Sequence, residues 1–359
     1  MFFPTILLLY CVLYINYSHV DCKSFDHAKL LNIFGGSYQR PGPGLYNLGS
    51  TCYMSSVLQM LFYSKPFRKI VINSNFDENS AGYYLQELFI KMDESKDLEP
   101  LDTTNLAKVF DLDIKIQEDA QEFLLKLINS LKGISDNVLG EMEQYLVCRE
   151  ENFAKHRRDK FVDLSVEVDS TGSLEEALKK YFTAETLDEY KISKEKTVTN
   201  VQKGSIIIET PDVLSIHLKR FRFDIEKGDM MKVADSFKFP TTLDITPYVK
   251  SDVVKLRGKE DNLYELQAIV MHEGTAFRGH YTCYARPDPW SYPDRWIHIN
   301  DHILSEVESD VVTKEATGGS VLSNISPFTS VPSLFGGGSD SGPASKNAYI
   351  LQYVRSKLR

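Results

Sequence analysis

Apolar residues recur along this chain in three rhythms. The first is a near-continuous run. Phe2 to Ile15, with Ile6, Leu7, Leu8, Leu9, Val12 and Leu13, is long enough for the hydrophobic stretch of a secretory signal and short for a membrane span. The second rhythm is helical. Val57, Leu58, Met60, Leu61 and Phe62 predict a buried helix that ends at Pro66, with Ser50 or Thr51 placed as its N-cap. Ala120, Phe123, Leu124, Leu127, Ile128 and Leu131 repeat at helical spacing over Gln117–Leu131. The third is strand-like. Leu263–Met271 is apolar and rich in β-branched residues, a short polar loop with Gly274 and Gly279 follows, and a second strand runs from Tyr281 to Ala285. Trp296–Asp301 alternates in the same way and ends in two polar side chains. Residues 45–140 thus read as mainly helical, 141–235 as strands with one helix around Leu174–Tyr181, and 236–315 as strand-rich. Pro41–Gly44 is a rigid turn, and 317–345, dominated by Gly, Ser and Pro, reads as a flexible surface insertion.

Composition narrows the class. With 359 residues, 42% hydrophobic and 25% charged, the chain has ample material for a globular core. A formal charge of -9 argues against nucleic acid as the main partner. The short basic clusters His156-Arg157-Arg158 and Lys219-Arg220 are flanked by acids and read as ordinary ion-paired surface. Beyond residue 22 only Cys52, Cys148 and Cys283 remain, too few for a disulfide-built secreted scaffold. The apolar N-terminus lacks a basic flank, so a true signal, an uncleaved anchor and a misassigned first exon all fit residues 1–22.

The candidate chemistry starts at Cys52, in the first turn of the predicted helix. The helix's unsatisfied N–H groups and positive end favour a thiolate there. Asn47, on the same turn, can offer a side-chain N–H to a developing oxyanion. A buried structural cysteine opening a core helix is the competing reading, and the partners downstream decide between them. His280, at a strand edge beside Gly279, can reach a helix N-terminus as the base that a cysteine nucleophile needs. Asn300 or Asp301 can accept the imidazole N–H and hold the useful tautomer. Asp119 and Glu122, three apart, can share one side of their helix and receive a cationic peptide, although most helical carboxylates only face solvent. No metal site is legible: Cys148 is solitary, and His298 and His302 straddle the strand end that carries Asn300. His217 alternates with Ile216 and Leu218 in a strand and reads as structural or substrate-facing, not as a base.

Together these segments resemble the ubiquitin-specific proteases, the papain-like deubiquitinases. Gly44–Ser55 is similar to the family's cysteine box, and Tyr264–Tyr284 followed by Trp296–Asp301 to its histidine box. Gln117–Leu124, Leu214–Phe221 and Asn347–Val354 resemble three further family segments in the same order. Within the family the herpesvirus-associated type looks nearest, through Cys148–Leu164 and Thr313–Ala316.

The resemblance implies an α+β, papain-like fold over residues 40–359. A helical thumb would span about 45–140, β fingers with part of the palm 141–235, and a β-rich palm 236–359. It implies Cys52 as nucleophile, His280 as general base and then acid, Asn300 as the orienting third member with Asp301 as an alternative, and Asn47 in the oxyanion hole. Ubiquitin and ubiquitinated proteins become the expected partners of a monomeric enzyme without cofactors. The arginine-rich ubiquitin tail would meet Asp119 and Glu122, and its two terminal glycines a narrow channel near Gly279 and Tyr281. Many relatives carry two Cys-x-x-Cys pairs in the fingers. This chain has none, so its fingers are expected to lack zinc and to be held by packing. Cytosol or nucleus is the family's usual location, whereas the apolar N-terminus points to the secretory pathway. Two departures stand out: Arg278 replaces the first of two glycines before the base, and Ser55 stands where many members have Asn. A catalytically weak ubiquitin-binding scaffold is the alternative that Arg278 and Asn300 raise, and the N-terminus alone raises a secreted papain-like endopeptidase.

Overall fold

The apolar run behind Cys52 folds as α1 (Cys52–Tyr63), and every one of its side chains is buried. The computed structural model describes residues 42–95, 99–134, 138–168, 171–194, 196–318 and 345–358. The N-terminal apolar segment and nearly all of the 317–345 stretch lie outside the described residues. Pro66 does not simply stop α1. It occupies the first turn of α2 (Lys65–Asn73), where its missing N–H costs nothing. α3 (Ala81–Glu94), capped by the Ser80 hydroxyl, and α4 (Thr104–Val109) follow. α5 (Ala120–Ser130) begins three residues later than its apolar spacing suggests, because Asp119 takes the N-cap and leaves Gln117 and Glu118 outside the helix.

From residue 140 the chain turns to strands. β1 (Gly140–Cys148), β2 (Phe153–Phe161), β4 (Glu185–Lys191) and β5 (Thr197–Glu209) form an antiparallel sheet in the order β2-β1-β5-β4. Its small core joins Cys148, Val198 and Val201 to the rings of Phe153 and Tyr190. The larger sheet runs β13-β12-β11-β10-β14-β6-β3, with β9 (Thr242–Asp244) paired to β10. Its members are β3 (Asp163–Glu167), β6 (Val213–Lys219), β10 (Leu263–Gly274), β11 (Gly279–Ala285), β12 (Arg295–Asn300), β13 (Ile303–Glu308) and β14 (Ser345–Arg355). β7 (Phe221–Asp224) and β8 (Asp229–Lys232) make a separate hairpin.

The large sheet is covered on both faces, which is why β10 reads as an unbroken apolar run rather than as an alternation. Ala268 and Val270 face α1 and the other N-terminal helices. Ile269 and Met271 face α6 (Leu174–Phe182) and α8 (Ser309–Thr317), whose Leu174, Leu178, Val312 and Ala316 lie in the same cluster. The short α7 (Ser251–Arg257) precedes β10. This mixture of helices and sheets is the expected α+β class. A cavity of about 1110 Å³ opens between the four-stranded sheet, α6 and the β3 edge, and none of its lining side chains is a candidate site residue. Among the described residues no helix is long and apolar enough to cross a membrane.

Candidate active site

Two features set the site: the N-terminus of α1 and the ends of β11 and β12, strands of the sheet on which α1 packs. Cys52 is the first residue of α1 and is 3% exposed. The expected Ser/Thr cap is absent. Thr51 holds the N-cap position at φ -100°, ψ 17°, and its side chain makes no cap bond to α1. The Thr51 hydroxyl accepts from the Leu48 N–H at 2.9 Å instead, and the Ser50 hydroxyl donates to the Lys115 carbonyl at 3.3 Å. The first-turn N–H groups beside the sulfur therefore have no side-chain cap, and their partial positive charge is left facing the thiol end of the helix.

Asn47 anchors this turn. Its Oδ1 accepts from the N–H groups of Gly49 and Thr51, each at 3.0 Å, and from the Thr51 hydroxyl at 3.3 Å. Because every one of those neighbours donates, the amide oxygen must face them and the NH2 must face outward. That NH2 donates to Asp301 Oδ2 at 3.0 Å.

His280 lies on β11. Its Nε2 is 2.7 Å from Asn300 Oδ1, and Cys52 is near enough to act on the charge of the ring. Burial pulls the imidazolium down. The attraction of Cys52, then Asn300 and Asp301, outweighs burial and raises His280 to a pKa of about 9. Asn300 and Asp301 thus face different partners. Asp301 adopts φ 52° in the turn after β12, a left-handed conformation that Asp tolerates, and this turns its carboxylate toward Asn47 rather than the ring.

Gly279 makes a close approach, but mainly to a side chain. A Cβ there would fall 2.1 Å from Nε2 of His272 and 2.7 Å from the Glu273 carbonyl oxygen. His272 is buried beneath the base between Phe221 and Tyr281, and burial, with Lys232 and His280 nearby, keeps it well below its ordinary pKa. Tyr281 is 3% exposed and packs on His272 and Tyr349, supporting the site from within. Arg278 is exposed, on a turn closed by a 2.8 Å bond from the Thr275 N–H to its carbonyl.

Asp119 and Glu122 stand at the start of α5. Asp119 Oδ1 accepts from the Gln121 and Glu122 N–H groups at 2.7 and 3.2 Å, and Oδ2 accepts from the Tyr349 hydroxyl. Glu122 is exposed. His217 is held by the Ser165 hydroxyl at 2.9 Å and lies against Tyr349. Among the described residues no three His, Cys, Asp or Glu side chains converge as metal ligands. Cys148 donates to the Thr199 carbonyl at 3.3 Å, and Cys283 is buried, its thiol pushed up by that burial. Sequence reasoning missed two residues near the site. Gln117 carried a helical reading yet reaches Cys52 from a loop, and Lys232, three-fold bonded to the His272, Gly274 and Ser345 carbonyls, gave no signal in the pattern.

Comparison with known proteins identifies the family of the chain. The family model "Ubiquitin carboxyl-terminal hydrolase" matches residues 43–353. Ubiquitin carboxyl-terminal hydrolase 15 of Schizosaccharomyces pombe is 29% identical over 333 residues, covering 87% of this chain and 28% of the relative. The protein of the same name from Saccharomyces cerevisiae is 29% identical over 341 residues, covering 88% and 27%. Ubiquitin C-terminal hydrolase 13 of Arabidopsis thaliana is 30% identical over 338 residues, covering 87% and 29%. The chain therefore spans under a third of the length of these relatives. With a match over nearly all of its described length, this chain belongs to the ubiquitin carboxyl-terminal hydrolase family.

Proposed function

We propose that this chain is a thiol-dependent deubiquitinase, hydrolysing the isopeptide or peptide bond that follows the C-terminal glycine of ubiquitin. The observation that carries the reading is the gathering of Cys52, at an uncapped helix N-terminus, with His280, whose Nε2 is held by Asn300 and whose proton affinity Cys52 raises, and with Asn47, whose NH2 is tied to the neighbouring Asp301. Cys52 attacks the glycine carbonyl, and its backbone N–H with Asn47 stabilises the oxyanion. His280 passes its proton to the leaving lysine amine. It then activates the water that releases ubiquitin from the thioester. Asn300 orients the ring, and Asp301 supplies charge near the imidazolium and a partner for Asn47.

The arginine-rich tail is assigned to Asp119 and Glu122, and its glycines to the passage beside Gly279. The helices from α1 to α5 correspond to the thumb, the four-stranded sheet to the fingers and the large sheet to the palm. The herpesvirus-associated type, with fingers held without zinc, is favoured by Cys148–Leu164, by the lack of Cys-x-x-Cys pairs and by the packing around Cys148.

A ubiquitin probe bearing a C-terminal electrophile tests the reading on the parent and on Cys52→Ala. An adduct on the parent alone supports it. A folded parent that binds ubiquitin without forming an adduct is a scaffold, and one that neither reacts nor binds is no deubiquitinase.

A further inference from the structure

Gln117 touches both halves of the site. Its Nε2 donates to Cys52 Sγ at 3.5 Å, and its Oε1 accepts from the Gly279 N–H, next to His280, at 3.3 Å. The orientation of this amide is not arbitrary. A backbone N–H can only donate, so the oxygen must face Gly279 and the NH2 must face the sulfur. An NH2 in turn offers only donors, and a thiolate accepts them better than a thiol does.

The segment that carries Gln117 is itself tied to the nucleophile's turn. The Ile114 carbonyl accepts from the Ser50 N–H at 2.7 Å, and the Lys115 carbonyl accepts from the Ser50 hydroxyl. Two residues further on, Asp119 fixes the chain by capping α5. Gln117 is thus held at both ends, within a loop rather than on the helix.

We infer that Gln117 is a positioning residue: its amide, oriented by the Gly279 N–H, favours the Cys52 thiolate and fixes the main chain that carries His280. This rests on the proposed reading of Cys52 and His280 as a reacting pair. The two bonds of the amide have separable effects. Gln117→Ala removes both, whereas Gln117→Glu keeps an oxygen for Gly279 and turns an anion toward the sulfur.

The test is the pH profile of Cys52 alkylation by iodoacetamide, read at that residue by mass spectrometry. It is run on the full chain, its His280→Ala variant, and Gln117→Ala and Gln117→Glu, with thermal melts alongside. In the parent, alkylation should extend to acid pH and lose that limb in His280→Ala. Gln117→Ala should alkylate about five- to tenfold more slowly on the acid limb with its melt retained, and Gln117→Glu more slowly still. If Gln117→Ala does not fold, Gln117→Met, similar in length and without a donor, takes its place. Gln117 profiles that superpose on the parent's overturn the inference while leaving the pair intact. A parent without a His280-dependent acid limb removes the pair itself, and the proposed function falls with it.

Discussion

Asn47 and Asp301, 254 residues apart, are joined by a 3.0 Å hydrogen bond from the Asn47 amide to the Asp301 carboxylate. The next residue back, Asn300, serves His280 instead. One turn thereby holds the proposed base with one side chain and the proposed oxyanion donor with the next. Asn47→Ala should lower kcat by about 10²- to 10³-fold with little change in KM, as for loss of an oxyanion donor. Asp301→Ala should cost less, because it frees only the Asn47 NH2 while Oδ1 keeps its three donors. The double variant should fall short of the product of the two losses, since both act through one amide. Steady-state kinetics on a fluorogenic ubiquitin C-terminal amide would show this, and full multiplicativity would refute the coupling.

The raised pKa of His280 has a signed consequence. Below its ordinary value of 6.5 the ring is protonated in the folded and unfolded chain alike. Between 6.5 and about 9 only the folded chain keeps the proton, so this contribution to stability is lost as pH rises through that window. Chemical denaturation across that range should show a decline that His280→Ala flattens. Turnover should carry an alkaline limb near 9, where the ring no longer holds the proton for the leaving amine, and Asn300→Ala should move that limb to lower pH.

Asp119 caps α5 and is proposed to receive the substrate tail, and one substitution separates the two. Asn caps a helix about as well as Asp but brings no charge. Asp119→Asn should therefore keep its melting temperature while KM for ubiquitin substrates rises about tenfold. Asp119→Ala should lose about 1 kcal/mol of stability as well. An unchanged KM in Asp119→Asn would confine this residue to capping.

Gly279→Ala places a methyl against the buried His272 ring and the Glu273 carbonyl. The ring cannot retreat, packed as it is by Phe221, Tyr281 and Tyr349, so the start of β11 must shift and take His280 with it. Activity should fall about 10²-fold, the scale expected when a reacting group is misplaced by about an ångström. Circular dichroism should retain the parent's secondary structure. Retained turnover would show that the strand end yields freely.

Much of this molecule was readable locally. The apolar run behind Cys52, the buried stripe from Ala120 to Ile128 and the strands Leu263–Met271 and Tyr281–Ala285 are all elements of the structure, because burial periodicity is written into neighbouring residues. The α+β class came from the family resemblance that those segments carry, and the structure has it. Caps were less legible. Thr51 has the right chemistry for an N-cap, but its backbone is not extended and Asn47 and Leu48 claim its polar groups.

The sequence by itself determined which chemistries were available: one thiol at a helix start, one histidine beside a glycine, and an Asn-Asp pair at a strand end. Only the tertiary structure decided who meets whom. That Asn300 takes the imidazole and Asp301 takes Asn47 depends on a positive φ in a turn and on partners far away in the chain. That Gln117 reaches the sulfur depends on a helix starting three residues beyond it and on a loop tied to Ser50. Side-chain direction at element ends is set by long-range packing and by hydrogen bonds that must all be satisfied together, and no local pattern of apolar and polar residues encodes it.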